Sequence, residues 1–200
     1  VIPRGRLYFA EFQTTMPFGL LQYSIWGKIQ HKIGIQIFVK RCKLHDAEYL
    51  FGLEQIHKTQ QNAHILQILV FRFKGTYYIV LYKSPTFPEN ILKNMFVEAM
   101  EKLQNHSDAE ISKICIIGDF NICRKTVNSS NVEQYLNEKQ FYSLLEKTIQ
   151  TTKHGTHIDW AFSNFSLEDA TVKIYKTIHS HHYALLLAMK WKYPIFVQYY

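Results

Sequence analysis

Apolar and polar residues alternate with period two early in the chain, and that pattern predicts strands over Leu20 to Ile25 and Ile33 to Val39. In the second of these, Ile35, Ile37 and Val39 alternate with Gln36 and Phe38. Two longer runs, Ile65 to Phe73 and Tyr77 to Tyr82, flank Lys74-Gly75-Thr76 and read as a β-hairpin with Gly75 supplying the turn. Ser84-Pro85-Thr86-Phe87-Pro88 then breaks the strand pattern. From Pro88-Glu89 to about Gln104 the period changes, with Ile91, Leu92, Met95, Phe96, Ala99, Met100 and Leu103 at helix spacing. Proline suits a first helical turn, where its missing N–H would be unpaired anyway. Lys113 to Gly118 is the next strand. Val132 to Thr148 is predicted to be helical in part, and Ile158 to Ser163, Ala170 to Thr177 and Tyr183 to Lys190 complete a strand-rich second half. Strands in groups around one long helix predict an α+β fold with layered packing, not strict βαβ alternation.

The chain of 200 residues is long enough to bury a sizeable core, and it contains no repeat, low-complexity tract or Gly/Ser linker, so residues 1–200 read as one domain. Apolar residues make up 47% of the chain, which excludes a disordered tail. Lysine and arginine number 23 against 16 acidic residues, and the net charge of +7 favours polyanionic partners, nucleic acid first among them. Lys28, Lys32, Lys40, Arg41 and Lys43 form a basic cluster suited to phosphate contact or to a solvated face. No apolar run approaches a membrane span. The three cysteines, Cys42, Cys115 and Cys123, include no CxxC pair, which argues against a disulfide framework or a zinc site and for an intracellular, reducing compartment. Cys115 sits in an apolar run, where a small buried hydrophobe is expected.

The chemistry concentrates after the apolar run Ile114 to Ile117. There Gly118-Asp119-Phe120-Asn121 presents a carboxylate and a carboxamide two positions apart. Strand side chains alternate, so Asp119 and Asn121 are expected on one edge, an arrangement suited to a hard metal ion and a phosphate. Downstream lie Thr156-His157-Ile158-Asp159-Trp160-Ala161-Phe162 and Ser180-His181-His182-Tyr183.

These elements, with Tyr82-Lys83-Ser84-Pro85 before them, resemble in order the endonuclease/exonuclease/phosphatase family of DNase I-like proteins, from about Gly19 to the C-terminus. The resemblance implies a two-layer β-sandwich flanked by helices and a Mg²⁺- or Mn²⁺-dependent phosphodiesterase. Carried over by motif, Asp119 would orient the attacking water near the metal. Asn121 would donate hydrogen bonds to the scissile phosphate, Asp159 would pair with His182, and the Tyr82 phenol would face the phosphate. A looser likeness, carried by Pro17-Phe18-Gly19, the Tyr82 strand and His154 to Trp160, is to endonuclease-type domains of Helitron-like mobile elements of insects. It implies nucleic-acid binding, DNA ahead of RNA, a nuclear location, and a helicase or replication module in a longer polypeptide.

Two departures bear on activity. The family opens with a strand bearing asparagine and a Gln-Glu strand whose glutamate is a metal ligand. Neither is found here, and Glu11 is the only acidic residue before Asp46. The chain starts at Val1, so the first strands of the fold are expected to be missing. Where the family has a second metal-site carboxylate this chain has His181, leaving Asp119 and His181 as the expected metal ligands; imidazole is a poor ligand for Mg²⁺. The expected function is an endonuclease hydrolysing nucleic-acid phosphodiester bonds. The alternatives are a catalytically inactive remnant or nucleic-acid-binding module of a mobile element, and a phosphatase acting on lipid or inositol phosphates.

Overall fold

A computed structural model of the chain describes residues 20–24, 35–40, 46–58, 63–106, 113–125, 130–166, 168–176, 180–189 and 194–197. Glu11, Pro17-Phe18-Gly19, Cys42 and all of the basic cluster except the Lys40 backbone lie outside them. In chain order the elements are β1 (Leu20–Ser24), β2 (Gln36–Lys40), β3 (Ala47–Lys58), β4 (Ala63–Phe73), β5 (Thr76–Lys83), α1 (Glu89–His106), β6 (Ile114–Asp119), α2 (Asn131–Glu138), β7 (Tyr142–Ser143), β8 (Asp159–Ser163), β9 (Ala170–Tyr175), β10 (Ala184–Met189) and β11 (Pro194–Val197). The architecture is α+β, as the pattern predicts.

A six-stranded sheet in the order β3-β4-β5-β6-β8-β7 carries the site. The β4–β5 hairpin closes on Lys74 and Gly75, both at positive φ (50° and 76°), the turn geometry that matches strand twist. β5 and β6 run parallel, joined through α1, and β8 returns antiparallel to β6. One face of this sheet packs against α1 and α2, with Leu92, Phe96 and Leu136 meeting Ile79, Leu81 and Ile116 in the core. The other face packs against the sheet β11-β10-β9, where Leu185 and Leu187 meet Val80, Ile117 and Ala161. Two sheets face to face with helices outside are the layers that the sequence resemblance implies. Cys115 is fully buried between the sheets, as expected of a small hydrophobe. Among the described residues no helix is long and apolar enough to cross a membrane.

Three details differ from the sequence pattern. β3 pairs along its whole length with β4 at the sheet edge, yet most of its side chains are exposed or half-buried. A solvated edge strand has no reason to show a clean apolar alternation. The short strand β11 is likewise absent from the sequence pattern. The helix expected within Val132 to Thr148 ends at Glu138, because Gln140 adopts a left-handed conformation (φ 61°) and Phe141 N–H donates back to Leu136 O at 2.9 Å. This is a Schellman-type stop, made here without the usual glycine.

Candidate active site

Strand register assembles the site. Tyr82 on β5 is the direct neighbour of Asp119 on β6, and Asp119 is the direct neighbour of Asp159 on β8. Residues in register share a face of the sheet, so the three side chains form one polar row at the strand ends, on the face turned toward β9–β11. Gly118 makes the close β5–β6 approach possible: a Cβ there would overlap the carbonyl oxygen of Leu81. Phe120 is fully buried toward the helices, its ring 4.3 Å from that of Trp160. Its N–H donates to Ile158 O at 2.9 Å, which anchors the turn between Asp119 and Asn121.

Asn121 leaves the strand at once, in a left-handed conformation (φ 48°) that asparagine tolerates better than most residues. Its backbone N–H donates to Asp119 Oδ1 at 2.9 Å. Its amide Nδ2 donates to Asp119 Oδ2 at 2.9 Å and to Lys83 O at 2.7 Å. Both amide protons are therefore engaged within the protein, and Asn121 fixes the Asp119 carboxylate.

His182 comes from the segment before β10, placed by an isolated bridge to Thr152. Its Nδ1 lies 3.0 and 3.1 Å from the two oxygens of Asp159, and its Nε2 lies 3.8 Å from Asp119 Oδ2. The sequence pattern places these residues 23 positions apart, and the fold brings them into contact. Asp159 is fully buried, and its N–H donates to Thr151 Oγ1 at 3.1 Å.

The electrostatics follow from two carboxylates in a dry site. Burial, reinforced by the charge of Asp159, pushes the Asp119 carboxyl up to about 7, against His182, the Asn121 N–H and Lys83. The hydrogen bond that His182 donates to Asp159 raises the His182 pKa, and burial opposes it. Burial raises the Tyr82 phenol; a hydrogen bond with Ser84 opposes this, and the Asp119 charge adds to it.

Asp119, Asp159 and His182 each offer a ligand atom within 4.8 Å of the others, the one such cluster among the described residues. The donor chemistry fits a hard divalent cation, because two carboxylates share a buried space, and burial together with the Asp159 charge raises the Asp119 carboxyl, a cost that a cation between them would relieve. His181 lies outside this cluster. It is exposed, with its ring 5.1 Å from that of His154.

Sequence reasoning missed two supports. Lys83 is almost completely buried, and its Nζ donates to Ser84 O and Pro85 O at 3.1 and 3.2 Å. Alternation from Tyr82 puts it on the helix-covered face, which was the available signal. Thr151, the acceptor for the N–H groups of Ile158 and Asp159, follows no pattern in the sequence.

No protein-family model matches the chain, and no curated protein matches it in sequence. Solved structures do match. A mannosyl-6-phosphatase of Bacteroides thetaiotaomicron superposes with a TM-score of 0.56 at 12% identity, over 86% of this chain and 77% of its own. An endonuclease/exonuclease/phosphatase family protein of the same organism gives 0.51 at 13% identity, over 82% of this chain and 71% of its own. Truncated TDP2 of Caenorhabditis elegans also gives 0.51 at 13%, over 89% and 75%. Strand order, the two facing sheets and these superpositions agree: the chain has the DNase I-like fold of endonuclease/exonuclease/phosphatase proteins.

Proposed function

We propose that the chain is a metal-dependent phosphodiesterase, an endonuclease that hydrolyses nucleic-acid phosphodiester bonds. The observation that carries this reading is the row Tyr82–Asp119–Asp159 with His182 hydrogen-bonded to Asp159 and facing Asp119. A phosphodiester needs a base for the attacking water and donors for the charge that builds on phosphorus, and this row contains both kinds of group.

Asp119, whose carboxyl is pushed up to about 7 with no cation beside it, would orient the attacking water as an ionised carboxylate once a cation offsets its burial. Asn121 holds its oxygens in place and reaches a phosphate only by exchanging one of its two amide bonds. His182, whose pKa its hydrogen bond to Asp159 raises against burial, would in its protonated form place positive charge beside the phosphoryl oxygens. The Tyr82 phenol, raised by burial, keeps its proton and donates it as a hydrogen bond. Mg²⁺ or Mn²⁺, held by Asp119 and Asp159, would supply Lewis-acid polarisation of the phosphate. The net charge of +7 supports a polyanionic substrate.

The test is nicking of supercoiled plasmid by the purified chain with Mg²⁺ or Mn²⁺, beside Asp119→Ala. Cleavage lost both to EDTA and to the substitution is the expected result. A folded protein that cuts neither DNA nor RNA with either metal would overturn the reading in favour of an inactive nucleic-acid-binding module.

A further inference from the structure

His154 and His181 belong to no part of the mechanism above, yet both are exposed beside it with their rings stacked, centroids 5.1 Å apart and planes inclined by 27°. Side chains of an extended segment alternate, so His182 turns in to the carboxylates while its neighbour His181 turns out to the rim. The segments that carry the two rings are fixed to each other. Lys153 N–H donates to His181 O at 2.9 Å, and Tyr183 N–H donates to Thr151 O at 2.7 Å.

The His154 turn is fixed from within as well. Thr151 N–H donates to Thr156 O at 2.8 Å, the hydroxyls of Thr152 and Thr156 lie 2.6 Å apart, and Gly155 takes the positive φ (79°) that the turn requires. Lys125, also exposed, donates to Gly155 O at 3.0 Å, and Lys153 is exposed next to His154. Neither Thr151–His157 nor Ser180–Tyr183 carries an acidic residue. A rigid pair of rings at the mouth of a phosphate site, set among lysines, has the two parts of a single-strand binding surface: a π-face for a base and positive charge for the backbone.

We propose that His154 and His181 form a stacking platform for an unpaired nucleobase of the strand whose phosphate enters the site. The substrate class is therefore single-stranded or locally unpaired nucleic acid, since a base inside a duplex stack offers no free face to the rim. This deepens the nuclease reading and rests on it for the position of the phosphate.

The test is fluorescence anisotropy of the full chain in EDTA, with a short single-stranded DNA and the same strand made of abasic sites. The wild type is expected to bind the base-bearing strand more tightly. His154→Ala/His181→Ala should weaken that strand about tenfold, within the range for loss of a base–ring stack, and leave the abasic strand unchanged. His154→Phe/His181→Phe, which keeps the rings, should restore binding. Equal affinity of the wild type for the two strands, no binding of either, or an equal loss on both in the alanine variant would overturn the platform. Plasmid nicking separates the two readings. Nicking together with equal binding of the two strands removes the platform and leaves the nuclease, whereas base-dependent binding without nicking leaves a base-binding rim and removes the nuclease.

Discussion

His182 Nδ1 lies 3.0 and 3.1 Å from the two carboxylate oxygens of Asp159, so a fully buried acid braces a half-buried imidazole. The hydrogen bond fixes the ring and favours its protonated form, and Nε2 is left facing Asp119. Asp159→Asn keeps the shape and removes the charge. The His182 pKa, followed by NMR in the metal-free protein, should fall from its raised value. Any phosphodiesterase rate should fall about a hundredfold or more, the usual weight of one positioned acid–base group. An unchanged His182 titration would mean that Asp159 is not the source of the shift.

Gly118→Ala tests the packing beneath the site. Its Cβ would meet the carbonyl oxygen and Cγ of Leu81 on the parallel neighbour β5, and the carbonyl, being backbone, does not move without parting the strands. The expected cost is about 1–3 kcal/mol, as for other overpacked positions, seen as a lower urea midpoint with an unchanged slope. A variant as stable as the wild type would show that the β5–β6 contact yields.

The legible part of this chain is where one apolar run ends in one polar residue. Tyr82, Asp119 and Asp159 lie at the ends of buried strands, and apolar periodicity alone brings those strands into view. Their alignment into a row is not legible, because register depends on pairing between segments far apart in sequence. β3 escapes notice because an edge strand exposed along much of its length needs no apolar alternation. The end of α2 escapes because Gln140, and not glycine, takes the left-handed position. His181 illustrates a further limit: motif order places it next to His182, but only the fold puts its ring against His154.

The pair Arg124–Glu133 makes a prediction about acid. Both side chains are buried, Arg124 Nη2 lies 2.6 Å from Glu133 Oε1, and Lys147 Nζ lies 3.2 Å from the same oxygen. Burial pushes the Glu133 carboxyl up, but hydrogen bonds and charge from Arg124, then Lys147, outweigh it and hold the pKa below its ordinary value of 4.5. A depressed carboxylate pKa stabilises the fold above that ordinary value, and the gain is lost as pH falls through the folded-state pKa. Chemical denaturation below pH 4.5 should therefore show a loss of stability that Glu133→Gln abolishes. At neutral pH the same substitution should cost about 3–5 kcal/mol, because it leaves Arg124 buried without its counter-charge. A flat acid limb in the wild type would refute this.

Asp119 connects the fold to the proposed cation binding in a way that needs no substrate to test. Burial and the Asp159 charge hold its carboxyl near 7, so the folded protein carries an unfavourable pair of acids that a divalent cation would relieve. A cation that binds only the folded state raises its stability by mass action, by about 2.7 kcal/mol at a hundredfold excess over Kd. Mg²⁺ and Mn²⁺ should therefore raise the melting temperature of the wild type in a concentration-dependent way. Asp119→Asn, which retains the size of the side chain but loses its charge, should respond to neither ion. Asp119→Asn should also melt higher than the metal-free wild type above pH 7, because the ionised carboxylate is costly there. Equal responses of wild type and variant to the ions would place binding elsewhere on the chain. No response in either, together with the expected rise in stability of Asp119→Asn, would leave the carboxylates as a strained pair that binds no cation and would count against metal-dependent hydrolysis.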